Sequence, residues 1–145
     1  MHWFDSQLKA LHRLAGIYEE CRIKDSNEFV EETRQARTIF IDNVQTLVET
    51  VVKLPDISGC VAGHEGFILA KAGSISGLDA LGAMIQESMD IAQRGNEILD
   101  LGTIQQLLVI GENNKVAMIS MGAITLAILS STQTNLTKCL SKKPR

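Results

Sequence analysis

The chain has 145 residues, of which 45% are hydrophobic and 21% charged, with a formal net charge of −3. That length suits one domain with modest decoration, able to bury close to ~70% of the surface its unfolded form exposes, and the composition is not that of a disordered chain. The mild negative charge supplies no basic field to hold a phosphate backbone, which sets nucleic acid aside as a partner.

Trp3/Phe4, Leu8, Leu11, Leu14/Ala15, Tyr18 and Cys21 recur at three- and four-residue spacing, so they share one face of a first helix. The stretch Lys24-Asp25-Ser26-Asn27 breaks that period. Ser26 or Asn27 then caps a second helix, with Glu28, Glu31 and Glu32 suited to its first turns. Phe29, Thr33, Ala36, Phe40, Val44 (or Asn43), Leu47, Val51 and Leu54 step along this helix, and Pro55 stops it because the residue before proline avoids the helical region.

From Ile57 the period changes to two. Ile57 to Ala62 and Phe67 to Lys71 read as strands joined by the turn Gly63-His64-Glu65-Gly66, and a hairpin is the easiest connection. Ser76 is placed to cap a third helix running to about Leu99, with Gly102 just beyond. This helix carries two apolar stripes: Leu81, Ile85, Ser88/Met89, Ala92 and Leu99, then Ala80, Met84, Ile91 and Ile98. So wide a surface predicts burial on two sides, one by a sheet and one by a partner. Ile104 to Ile110, Lys115 to Met121 and Ala123 to Leu129 read as three strands with short connections at Glu112-Asn113-Asn114 and Gly122, which leave only antiparallel neighbours. Asn135-Leu136 opens a last short helix through Leu140.

Chemical motifs are sparse. Cys60 precedes His64 and Glu65, but on a strand Cys60 and His64 stand about 13 Å apart, too far for a nucleophile and its base. His64 therefore reads as a turn residue. Gly73 to Gly77 resembles a flexible strand-to-helix connection more than an anion cradle, and no phosphate-binding glycine loop follows a strand. No cofactor or metal site is expected. Trp3 and Phe4 are expected to pack onto Phe29 or Phe40. Cys21, Cys60 and Cys139 are scattered, without a Cys-x-x-Cys pair, which suits free thiols in a reducing, cytoplasmic setting. No apolar run is long enough to span a membrane. Lys138, Lys142, Lys143 and Arg145 close the chain without an acid, too few charges for firm membrane attachment.

The order is helix, two strands, helix, three strands, helix, an α+β arrangement with a five-stranded antiparallel sheet. Ile57 to Lys71 (Ile-Ser-Gly-Cys-Val-Ala-Gly-His-Glu-Gly-Phe-Ile-Leu-Ala-Lys) and Gly102 to Glu112 (Gly-Thr-Ile-Gln-Gln-Leu-Leu-Val-Ile-Gly-Glu) resemble the Roadblock, or dynein light-chain, family of small dimeric adaptor domains with a profilin-like architecture. The best matches are the turn exit Gly66-Phe67, the strand end Val109-Ile110-Gly111-Glu112, and Asn135-Leu136. The resemblance covers 38–142 and leaves 1–37 as an N-terminal helical extension, whose second helix continues to residue 54, and 143–145 as a tail.

The resemblance implies a non-enzymatic homodimer. Its third strand, Thr103 to Ile110, pairs with its copy, and the helix Leu78 to Leu99 packs antiparallel on its mate. The expected dimer residues are Leu81, Ile85, Ser88, Ala92, Gly95, Leu107 and Val109, with the small residues Gly82, Ala83, Ser88, Ala92 and Gly95 allowing close approach. The resemblance also implies a scaffold or activity modulator for a small Ras-like GTPase, contacted through Met84, Glu87 and Ile91 with Ser88 beside them. The alternative is a structural subunit of a motor or signalling assembly that docks through its N-terminal helices. An enzyme or small-ligand sensor would need a polar pocket that the sequence does not show.

Overall fold

The computed structural model describes residues 2–23, 30–121 and 124–141. The expected cap at Ser26 or Asn27, the start of the second stripe at Phe29, the tight connection at Gly122, and the tail beyond Ser141 lie outside those residues.

The apolar periods fold as helices α1 (His2–Ile23) and α2 (Val30–Val51). Tyr18 stacks on Phe40, and Trp3 lies beside Thr50, so the two helices run antiparallel as a hairpin. Phe4, Leu8, Leu11, Phe40, Val44, Leu47, Val48 and Val51 are buried along their inner sides. α2 ends short of Pro55 because Lys53 and Leu54 turn with three-residue hydrogen bonds, to Thr50 O (3.2 Å) and Val51 O (3.1 Å). Phe4 departs from expectation. It is buried where its N–H donates to Leu140 O (3.3 Å), far along α1 from Phe40, so it ties the first helix to the last.

Strands β1 (Ile57–His64) and β2 (Phe67–Gly73) form the hairpin. Its turn is tighter than expected. Gly63 and His64 stay in the ladder, and only Glu65 (φ 50°) and Gly66 (φ 85°) make the left-handed bend, as a two-residue hairpin loop requires. Leu69 is an extra residue that bulges β2 where the register shifts opposite Ala62 and Gly63. The hairpin joins β3 (Gln106–Ile110), β4 (Asn114–Met121) and β5 (Ile124–Ser131) in one antiparallel sheet of order β2-β1-β5-β4-β3. β3 starts later than expected: Gln105 O still accepts from Ser120 N–H (2.9 Å), but before it Ile104 N–H donates to Gln93 Oε1 (3.4 Å) on helix α3 (Leu78–Leu99), so the incoming chain is held by α3.

The cap of α3 is a correction. Gly77, at φ 68°, occupies the cap position with no side-chain bond, and Ser76 stands one residue too early to serve. The far end follows expectation. Asp100 is left-handed and donates to Asn96 O (2.9 Å), and Gly102 N–H meets Asn96 Oδ1 (2.7 Å). The last helix, α4 (Leu136–Cys139), is capped by Asn135 Oδ1, which accepts from Lys138 N–H (3.1 Å).

Alternation along the central strands sorts the core into two layers. Cys60, Ala62, Leu126 and Ile128 face α1, α2 and α4, and share one cluster with Phe4, Val44, Val48 and Leu140. Val61, Met118 and Ala127 face the opposite way and pack with Ile85 of α3. β1 is thus buried on both faces, which is why it reads as a nearly continuous apolar run. The N-terminal helices and α4 lie on one face of the sheet and, among the described residues, α3 covers the other.

Candidate interaction surfaces

α1, α2 and α4 lie on one face of the sheet and α3 on the other, so α3 keeps an outward side that nothing among the described residues covers. Ile85 is 2% exposed and enclosed by Val61, Met118 and Ala127, with Leu81 and Met89 packed beside it, so this part of the expected dimer stripe is spent on the sheet. Ser88, Ala92 and Gly95 are half-buried along the flank. A methyl added at Gly95 would meet nothing, so that flank is open to approach. Gly82 behaves otherwise: an added Cβ would lie 2.5 Å from Gly66 O, so this glycine seats α3 on the β1–β2 turn and is not available to a second helix.

The outward side carries Met84 (48% exposed), Glu87, Ile91 (57%), Arg94 and Ile98 (85%). Their spacing of three and four residues makes one stripe down the helix. The surface around it is acidic: Asp79, Glu87, Asp90 and Glu97 stand against Arg94 alone on α3. Gln86 Nε2 donates to Asp90 Oδ1 (3.0 Å). Sequence reasoning placed Ile98 on this stripe without assigning it a contact. It missed Leu101, whose signal was an apolar residue between Asp100 and Gly102, beyond the helix.

β3 is an edge strand, paired to β4 alone. Leu107 is half-buried on the α3 side, while Leu108, Val109 and Ile110 are all substantially exposed. Four consecutive apolar residues on an open edge present unpaired backbone groups together with apolar side chains, the arrangement that invites strand addition. At the other edge, β2 is guarded. It carries the bulge at Leu69, and Gln45 Nε2 donates to Lys71 O (3.0 Å), reaching from α2 over the strand.

Chemistry is thin elsewhere. Burial pushes the Cys60 thiol up to about 12 from 9.0, so it stays protonated and unreactive at neutral pH. His64 Nε2 lies 3.8 Å from Glu65 Oε1 at the hairpin turn. Among the described residues no three His, Cys, Asp or Glu side chains converge as metal ligands would. Among the described residues no helix is long and apolar enough to cross a membrane.

A five-stranded antiparallel sheet of this order, with one long helix on one face and the flanking helices on the other, is the Roadblock/LC7 fold. A Roadblock/LC7 domain from Streptomyces avermitilis superposes with a TM-score of 0.60 at 15% identity, over 66% of this chain and 83% of that one. Myxococcus xanthus MglB superposes with a TM-score of 0.62 at 10% identity, over 67% of this chain and 76% of that one. No family model matches the chain. In sequence, two uncharacterized proteins of Methanocaldococcus jannaschii, MJ0310 and MJ1340, are each 30% identical over 78 residues, 52% of this chain and 68% of theirs. The chain belongs to the family of these two archaeal proteins.

Proposed function

We propose that the protein is a non-enzymatic homodimeric adaptor that presents α3 to a small Ras-like GTPase as a scaffold or activity modulator. The observations that carry the reading are the uncovered stripe Met84, Ile91 and Ile98 and the open β3 edge. Two copies joined at β3 continue one sheet and bring their α3 helices together. Antiparallel apposition about Ile91 then sets Met84 against Ile98 of the second copy and brings Glu87 near Arg94, so in this proposal Met84, Glu87 and Ile91, expected at the GTPase contact, serve the seam between copies instead. Ser88, Ala92 and Gly95 lie on the flank where small side chains permit close approach, and Leu107 and Val109 occupy the joining strand. The acidic remainder of α3, Asp79, Asp90 and Glu97, then offers a partner a surface favouring basic residues.

The GTPase enters from the resemblance to Roadblock domains. Its test is affinity capture from the source cell's lysate with the tagged chain, alongside the double variant Met84→Glu/Ile91→Glu, with sedimentation velocity on both purified proteins. The expected outcome is a wild-type dimer that recovers a small GTPase, and a double variant that sediments as a monomer and recovers none. A wild-type monomer, or GTPase recovery indifferent to the double substitution, would sink the reading. Docking through the N-terminal helices alone is less favoured, because the first half of α1 is buried in the core through Phe4, Leu8 and Leu11.

A further inference from the structure

A second feature lies on the opposite side of the sheet from α3. The α1–α2 hairpin runs past the β1–β2 turn: beyond Ala15 on α1 and before Phe40 on α2, none of its described side chains is buried. Beneath this overhang is a cavity of about 240 Å³, bounded by three separate elements. Tyr18 and Phe40 form one wall, their rings nearly parallel (10°) with centroids 6.2 Å apart. Ala15, Ile41 and Leu69 complete an apolar interior, and Glu19, Arg37 and Glu65 carry charge around it, with the His64 imidazole among them.

Three of those four polar groups are engaged. His64 faces Glu65 at 3.8 Å, and Glu19 has a partner of its own. Arg37 makes no hydrogen bond or ion pair among the described residues, although Arg34, one turn before it, pairs with Glu31 at 3.6 Å. An unengaged guanidinium beside an apolar, aromatic-walled cavity has a definite complement: an anion joined to an apolar body. A planar carboxylate matches the guanidinium fork best. The volume falls below the roughly 300–1,000 Å³ of sites for drug-sized ligands, so the body must be small.

We propose that this cavity binds a small amphiphilic carboxylate, a medium-chain alkyl or aryl acid. Arg37 receives the carboxylate, and Tyr18, Phe40, Ile41 and Leu69 enclose the apolar body. The inference goes beyond the adaptor reading and stands apart from it, since no cavity residue belongs to α3 or β3.

The test is a titration of the full chain with octanoate, followed by amide NMR shifts and calorimetry, with octanol and octylamine as controls of matched length. Octanoate is expected to shift amides of 15–19, 37–41 and 64–69 in a saturable way, and to bind about tenfold or more tighter than octanol. Arg37→Gln, at an exposed position that leaves the fold intact, should reduce octanoate to the level of octanol and leave octanol unchanged. The proposal is overturned by octylamine binding as well as octanoate, or by octanoate binding indifferent to Arg37→Gln. Shifts centred on the apolar stripe of α3, or no saturable shift at millimolar ligand, would overturn it equally.

Discussion

At the scale of single residues, Gly82 is tightly constrained. A side chain there would meet Gly66 O at 2.5 Å, and Gly66 is itself fixed by a left-handed turn, so neither partner can yield. Gly82→Ala would improve the intrinsic propensity of an isolated helix, yet here it should destabilise by about 1–3 kcal/mol, the usual cost of overpacking. Urea unfolding checks this, and an unchanged or raised midpoint would refute the contact. Cys60 gives a second prediction. Its thiol should resist a disulfide reagent at neutral pH in the folded protein and react once the chain is unfolded. Because burial raises its folded pKa above the unfolded value, the thiol contributes stability that is fully present below pH 9.0 and lost as pH rises towards about 12. Replacing Cys60 with alanine should flatten that alkaline decline in unfolding free energy.

At the scale of elements, α1 belongs to the core and is not an appendage. Phe4 is wholly buried among residues contributed by α2, the sheet and α4. Phe4→Ala should cost about 3–5 kcal/mol, as large-to-small changes of buried aromatics do, and thermal unfolding measures it. If α1 were only docked at the surface, the loss would stay below about 1 kcal/mol. The helix and strand order was legible because the apolar period changes cleanly at Ile57 and again after Leu99. The location of Phe4 was not, since spacing along one helix says which residues share a face and nothing of which distant segment meets that face. The Ser76 cap failed for a related reason. Propensity favours serine as a cap, but the chain must reverse over the sheet, and that reversal needs the left-handed conformation that Gly77 adopts without strain. The two stripes of α3 were visible in the sequence. Which of them faces the sheet was not, because Ile85 and Ile91 are alike in chemistry and only the packing of Val61, Met118 and Ala127 distinguishes them.

At the scale of the whole molecule, the three layers leave the protein unevenly finished. One face is sealed by a helical hairpin with a small cavity under its overhang, and the other by a single helix with apolar side chains turned outward. The cavity was invisible in the sequence because Ala15, Arg37 and Leu69 come from three segments that only the fold brings together. The sheet's two ends differ in the same way. β3 is open and apolar, whereas β2 is bent by a bulge and roofed by Gln45. That inequality sets the valence of the domain. A sheet with two open ends is a link, and links make fibres; a sheet with one open end is a terminus. Two such termini, if joined by a twofold axis, would close on themselves and stop, with the bulge at Leu69 and the bond from Gln45 keeping the second edge out of the assembly.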